Sequence, residues 1–328
     1  MISRRPHPFA MVVATIFMLA GAALWALDAF PTLQAISRQT ALVSSFTPYG
    51  IVAWVIAALI LLLAARGTGR LVSLVAFAGM FIHAGIFLPY FETSYQAPTG
   101  APPTVKMIML NLHYGHGDLD QLWAQVKAEK PDLVVLTEFT EQSSTVLTDP
   151  QWQALLPYHL GTTGRSSNRD QFGDSSGTQV LSRTPITLLG RASGTENANL
   201  AIQVTSGGHE FTLIAAHPIN AVRGGLDGWL NEGAILADFV ATQSGHPLVV
   251  AGDLNSVPEH LTIHNLVART GLHQATQGWQ PSYPADRMVP LITIDQVLAS
   301  SQFSTVRVAR FRVANTDHLG SVVELAQS

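Results

Sequence analysis

Apolar residues are distributed in two different ways along this chain, and the change falls near residues 95–103. Before it, charges are rare and apolar runs are long. After it, apolar runs of strand length alternate with polar, helix-length segments and Gly/Pro-rich turns. The first pattern predicts helices in a bilayer and the second a globular domain. Phe9 to Phe30 is a 22-residue run whose one charge, Asp28, lies near its end. At ~1.5 Å per residue it reaches ~33 Å, enough for a hydrocarbon core of ~30 Å. Tyr49 to Ala65 and Leu71 to Phe91 are two further expected spans, joined by the short loop RGTGR. The first run is too long for a signal peptide and no small-x-small site follows it, so it is expected to remain as a span.

Basic residues orient these spans. Arg4 and Arg5 precede the first, Arg66 and Arg70 separate the second from the third, and only Arg38 lies in the first loop. Arg-rich sides stay in the cytoplasm. Three spans with the N-terminus inside then carry the following domain to the extracytoplasmic side. His83, alone in the third span, is expected to make a helix contact. The expected organisation is a transmembrane region over 1–95, a linker over 96–104 and a globular domain over 105–328. The linker segment APTGAPPT, with Pro98, Gly100, Pro102 and Pro103, is too stiff and polar to continue a helix.

In the globular part, strands are predicted at Val105–His113, Asp132–Glu138, Thr178–Ser182, Leu200–Thr205, Phe211–Ala216, Leu248–Gly252, Leu291–Leu298 and Val306–Val313. Helices are predicted at Asp118–Glu129, with an acidic N-cap, at Leu226–Val240 and at Glu259–Arg269. Antiparallel-looking pairs mixed with helical crossovers point to two packed sheets with helices outside.

Of 18 basic and 22 acidic residues, 13 and 20 lie after residue 100, so the globular part carries a formal charge near −7. That sign disfavours tight, sequence-independent nucleic-acid binding. The chain has no cysteine, which excludes disulfides and thiolate metal sites.

Chemistry gathers at strand ends. Asn111 ends the first predicted strand and Glu138 the second; His217 follows FTLIAA; Asp253 and Asn255 follow PLVVAG; Asp295 interrupts LITIDQVLA; Asp317 and His318 precede GSVVEL. A single Asp or Asn at a strand end is ordinarily a turn former. Eight such residues at six strand ends are harder to explain as separate turns, because strand-end loops are where distant side chains converge.

In order, the segments MIMLNLH, PDLVVLTEFT, GTQVLSRTPI, LIAAHPIN, VVAGDLNSVP, ITIDQVL and NTDHLGSVV resemble the endonuclease/exonuclease/phosphatase superfamily over about Val105 to Leu325. The G-D-x-N segment with a final Asp-His is the most specific element. With three spans in front, the chain looks like the bacterial membrane-bound branch, which places it in a bacterial-type cytoplasmic membrane. The resemblance implies an α/β (α+β) four-layer sandwich of two mixed sheets flanked by helices. It also implies divalent-metal-dependent hydrolysis of a phosphate ester, in particular a phosphodiester of a lipid headgroup or of extracellular nucleic acid. Glu138 and Asn111 are hard oxygen donors suited to Mg²⁺ or Mn²⁺. By resemblance Asp317 supports the metal shell and Asp253 orients or deprotonates the attacking water. Asn255 holds a phosphate oxygen or that water. His318, fixed by Asp295, contacts the phosphate and moves a proton, while His217 contacts phosphate or helps protonate the leaving oxygen. Thr316 stands where Ser is common, Gln296 where His or Tyr is frequent, and Asn220 where membrane members often have Pro; the last two bear on substrate contacts.

Substrate contacts are less legible. The polar loop 161–178 offers Arg165, Asn168 and Arg169 as candidate phosphate contacts, against the plain alternative of a surface loop. The loop PSYPADRMVP, with Tyr283 and Arg287, is a second candidate wall. His113, His116, His159 and His273 share no metal spacing and are expected at the surface or in packing. A phosphomonoesterase of the same fold and a noncatalytic membrane-tethered binding module are the alternatives.

Overall fold

The computed structural model describes residues 8–64, 69–165, 174–276 and 278–327. Its contacts divide the chain into two units, Met1–Glu92 with Glu259–Leu261, and Thr93–Pro258 with Thr262–Ser328.

In the first unit, among the described residues, three helical stretches are long and apolar enough to cross a membrane: Pro8–Ala29, Thr47–Ala64 and Arg70–Phe91. They comprise α1 (Pro8–Ala29), α3 (Gly50–Ala64) and α4 (Gly69–Ala84), the last continued by a 3₁₀ turn over Gly85–Phe91. The short α2 (Arg38–Ser44), not anticipated, is started by a capping box in which Ser37 Oγ accepts from Thr40 N at 3.1 Å and Thr40 Oγ1 from Ser37 N at 3.0 Å. Close packing of the long helices depends on glycine. A Cβ at Gly21 or Gly79 would come within 2.6 or 2.5 Å of the Trp54 indole, so the two glycines let α1 and α4 close on that ring. His83 is buried, and its Nε2 donates to the Thr47 carbonyl at 2.7 Å, the helix contact expected of it.

The second unit contains two six-stranded sheets among the described residues. Sheet one joins β1 (Val105–Asn111), β2 (Leu133–Thr137), β3 (Tyr158–Gly161), β4 (Thr178–Ser182), β11 (Phe303–Phe311) and β12 (Gly320–Gln327) in the order β11-β12-β1-β2-β4-β3. Sheet two joins β5 (Ile186–Arg191), β6 (Leu200–Ser206), β7 (His209–Ala216), β8 (Leu248–Asp253), β9 (His273–Gln274) and β10 (Asp295–Ala299) in the order β5-β6-β7-β8-β10-β9. Each sheet is mixed, with β1–β2 and β7–β8 parallel and their other ladders antiparallel.

Strand alternation builds the layers. Met107, Met109 and Val135 of sheet one meet Ile202, Leu213 and Val249 of sheet two in the central core. The intervening residues Ile108, Leu110 and Val134 turn outward onto Leu122 and Val126 of α5 (Leu119–Glu129) and Trp152 of α6 (Pro150–Leu155). On the far side, Ile214 and Val250 cover Leu236 and Val240 of α7 (Gly225–Thr242) and Leu266 of α8 (Leu261–Thr270). The result is the expected four-layer sandwich. Asp118 caps α5 as predicted, its Oδ1 accepting from Gln121 N at 3.0 Å.

Two expected strand limits shift for local reasons. Leu291–Leu298 becomes Asp295–Ala299, because Ile292 bridges to Tyr283 and Ser282 Oγ accepts from Ile294 N at 3.3 Å, so the earlier residues bond to a loop. The segment expected to begin at Val306 begins at Phe303. Tyr95, the last residue of the expected transmembrane region, and Ala97 of the expected linker are pinned to β11, with Thr305 N donating to Tyr95 O at 2.7 Å and Ala97 N to Thr305 O at 2.9 Å.

Candidate active site

The topology gathers the strand-end residues at one end of the sandwich. Because β1 and β2 are parallel and in register at Asn111 and Thr137, Asn111 and the following Glu138 emerge side by side. In sheet two, parallel β7 and β8 release His217 and Asp253 at the same level, and antiparallel β10 starts with Asp295 directly opposite Asp253. Asp317 and His318 lie just before β12, which runs antiparallel to β1 and so begins at that same end.

Backbone geometry here is unusual. Glu138 has φ +53°, and His113, Tyr114 and Asn255 have φ +48°, +55° and +47°, in the left-handed region that costs an ordinary residue about 1–3 kcal/mol. Gly252, before Asp253, has φ +145°, and a Cβ there would stand 2.1 Å from the Ala216 carbonyl oxygen. Only glycine lets β8 approach β7 so closely at the site.

Hydrogen bonds lock the side chains. Asn111 Nδ2 donates to Asp253 Oδ2 at 2.9 Å and to Glu138 Oε1 at 3.2 Å, while its Oδ1 accepts from His113 N at 2.8 Å. Glu138 Oε2 accepts from Tyr114 N at 2.7 Å. Thr316 Oγ1 donates to the Asn111 carbonyl at 2.7 Å, tying the Thr-Asp-His segment to β1. Asn255 N donates to Asp253 Oδ1 and Asn255 Nδ2 to the Pro218 carbonyl, both at 2.8 Å, so this residue joins the Asp253 turn to the His217 loop.

The three site histidines differ. His318 is buried with Nδ1 2.9 Å from Asp295 Oδ2 and Nε2 3.8 Å from both Asp253 Oδ2 and Asp317 Oδ1. Burial acts to lower its pKa, but the carboxylates of Asp295 and Asp253 outweigh this and push it up to about 10. His217, also buried, has Nε2 3.8 Å from Asp253 and 4.0 Å from Glu138. Desolvation dominates there and lowers its pKa to about 4, so it is neutral at pH 7. Asn199 Oδ1 accepts from His217 N at 2.7 Å. Burial raises the Asp253 pKa, whereas the neighbouring imidazolium, overcoming burial, lowers that of Asp295.

His113 corrects an expectation. Assigned to surface or packing, it instead lies in the site, with Nδ1 2.5 Å from Asp317 Oδ1. A lone histidine without partner spacing carries no sequence signal; its one clue is its place two residues after Asn111. Arg310 was also missed. It is half-buried and donates to the Asp295 carbonyl at 3.1 Å and to Gln280 O at 2.9 Å. Tyr283 stacks obliquely on His318, with ring centroids 5.0 Å apart, which brings one candidate wall residue to the chemistry. Arg165 holds Asp174 through its backbone N–H at 3.2 Å; Asn168 and Arg169 lie outside the described residues. His273 is a packing residue as expected, its ring stacked 3.6 Å from Tyr95.

Four carboxylates, Glu138, Asp253, Asp295 and Asp317, thus share one end with three histidines, an acidic setting that suits a divalent cation. Asp253, Asp295 and His318 have potential ligand atoms within 4.8 Å of one another. The Asp295–His318 hydrogen bond occupies part of that set. Glu138 and Asp317 add hard oxygen donors at the same end, and the Asn111 amide nitrogen lies between the carboxylates of Asp253 and Glu138.

Known proteins share this fold of two packed mixed sheets. The profile of the Endonuclease/Exonuclease/phosphatase family matches residues 110–318, and the chain belongs to that family of hydrolases. No curated protein matches the chain. Among solved structures it is similar to an endonuclease/exonuclease/phosphatase from Beutenbergia cavernae, with TM-score 0.51 and 19% identity over 69% of this chain and 72% of that one. A family protein from Leptotrichia buccalis gives TM-score 0.51 and 12% identity over 67% and 99%. The human Nocturnin catalytic domain with bound sulfate gives 0.50 and 16% over 69% and 94%. At these identities the likeness is one of fold.

Proposed function

We propose that this protein is a membrane-anchored, divalent-metal-dependent phosphodiesterase. The observation that carries the reading is the meeting of Asn111, Glu138, His217, Asp253, Asp295, Asp317 and His318 at one end of the sandwich. Glu138, Asn111 and Asp317 would hold Mg²⁺ or Mn²⁺, which supplies charge neutralisation for the phosphate and its leaving oxygen.

The chain's own residues account for the rest of the reaction. Asp253, held by Asn111 and Asn255, accepts a proton from a water whose oxygen attacks phosphorus. The phosphorus–oxygen bond to the departing alcohol breaks as the new one forms. His318, protonated at neutral pH through its pairing with Asp295, binds a nonbridging oxygen. His217, neutral, brings Nε2 to the site without adding charge, which makes it a contact to phosphate or leaving oxygen rather than a strong acid. Asn255, beyond fixing Asp253, is a further candidate contact to the phosphate or water. The alcohol leaves with a proton from the His318 imidazolium, which regains one from Asp253, and the product keeps one new P–OH.

The arginines around the spans support an extracytoplasmic domain in a bacterial-type membrane. A reporter active only outside the cytoplasm, fused after Ser328, is expected to be active; a cytoplasmic signal contradicts the topology. Full-length protein is expected to hydrolyse a bis-aryl phosphodiester with Mg²⁺ or Mn²⁺, and wild-type-like turnover after His318→Ala or Asp253→Ala removes the assignment.

A further inference from the structure

The second unit exposes few large apolar side chains, and some of the most exposed lie in loops that carry the site. Met288 and Val289 are 93% and 59% exposed, and Val222, five residues after His217, is 62% exposed. The loop bearing Met288 is firmly held. Tyr283 lies against the His318 ring, and Ala285 N donates to the Asp317 carbonyl at 2.6 Å. The Arg312 guanidinium binds the carbonyls of Ala285, Arg287 and Met288, the last two at 3.3 and 3.4 Å. An apolar tip fixed this way keeps its side chains in solvent, a cost that association with an apolar phase removes. A cleft of about 580 Å³, lined by His113, Gln121, Ala285, Asp286, Arg312 and Asp317, connects the base of this loop with the site. Its size is that of a small-molecule pocket.

We propose that the Met288–Val289 tip enters the bilayer surface and that the substrate is a phospholipid, its headgroup alcohol lying in the adjoining cleft. Two further observations select a bilayer as the occupant. The chain itself carries three apolar helices long enough to span one, so lipid is a constant neighbour. Arg287, exposed beside Met288, places a cation where lipid phosphates lie when an apolar tip is inserted. The substrate half of this inference rests on the phosphodiesterase reading above; the membrane contact does not.

The absence of cysteine permits a clean test. Met288→Cys is labelled with an environment-sensitive fluorophore in the full-length protein, reconstituted in nanodiscs of phosphatidylcholine and phosphatidylglycerol. Ala128→Cys, on the exposed C-terminal turn of α5 at the opposite end of sheet one, is the reference. Spin-labelled lipid is expected to quench the label at 288 and not at 128, with iodide doing the reverse. Equal behaviour at the two positions overturns the membrane contact, whatever the activity. In a second measurement, hydrolysis of vesicle phosphatidylcholine, phosphatidylglycerol and phosphatidylinositol is compared with that of a soluble bis-aryl phosphodiester. The ratio of the two rates is expected to fall at least tenfold in Met288→Asp/Val289→Asp. An unchanged ratio, or turnover of the soluble diester with no lipid hydrolysed, overturns the lipid assignment. Failure to hydrolyse the soluble diester overturns the phosphodiesterase reading instead, and quenching still decides the contact.

Discussion

Two buried histidines, one in each unit, show how differently the same side chain is used. His83, among the apolar helices, gives its Nε2 to the Thr47 carbonyl and lies where a Cβ on Gly50 would intrude. Its polarity ends on a backbone group. His318 is as thoroughly enclosed, yet its neighbours are the carboxylates of Asp295, Asp253 and Asp317. Burying several ionisable groups together is costly unless they compensate one another. An arrangement so concentrated at one end of a sandwich, with left-handed Glu138 and Asn255 beside it, has a chemical use that a helix contact lacks. The difference lies in partners, not in burial.

Substitutions can break this contrast. The largest effect is expected for His318→Ala, which removes the imidazolium and leaves Asp295 and Asp253 facing each other. Steady-state hydrolysis is expected to fall by about 10³-fold or more. Asp295→Asn comes next, because it leaves a buried imidazolium without its closest counter-charge. Stability is expected to drop by about 3–5 kcal/mol, measured by denaturant unfolding, and the alkaline limb of the pH–rate profile to move to lower pH. The sign follows from the shifts. His318 is raised to about 10, so its contribution is complete below its ordinary 6.5 and disappears as pH rises through 10. Asp295 is lowered from 3.8, so its contribution is present above that value and fades as pH falls through the lowered one. The pair thus stabilises the fold across neutral pH.

How much of this was legible before folding depends on the residue. Asn111, Glu138, Asp253 and His318 stood out because each sets a polar group at the end of an apolar strand run that does not need it. That Asp295 faces Asp253 was not legible, since it follows from the register of two strands about forty residues apart. His113 and Arg310 carried no signal, because their importance comes from Asp317 and Asp295, neither of which is near them in sequence. Strands β3 and β5 were missed for another reason. Both are edge strands with exposed positions, Tyr158 and Leu188–Leu189 among them, and so lack the buried apolar pattern that marked β1, β2 and β8. Apolar length alone predicted the three candidate spans to within one or two residues.

Smaller effects sharpen the comparison. His217→Ala removes a neutral donor and is expected to slow turnover by about 10²-fold with little change in the alkaline limb, which separates its role from that of His318. His83→Ala is expected to leave turnover within about twofold and to weaken helix packing by about 1 kcal/mol, read by thermal unfolding in detergent. A large kinetic effect at His83 would erase the distinction between the two histidines.

The most direct test is hydrolysis of a bis-aryl phosphodiester by the full-length protein in detergent, with Mg²⁺ or Mn²⁺, with a chelator, and with Asp253→Ala. Metal-dependent release of the aryl alcohol, abolished by the chelator and reduced by orders of magnitude in the variant, is the predicted result. Turnover that survives both treatments would contradict the site.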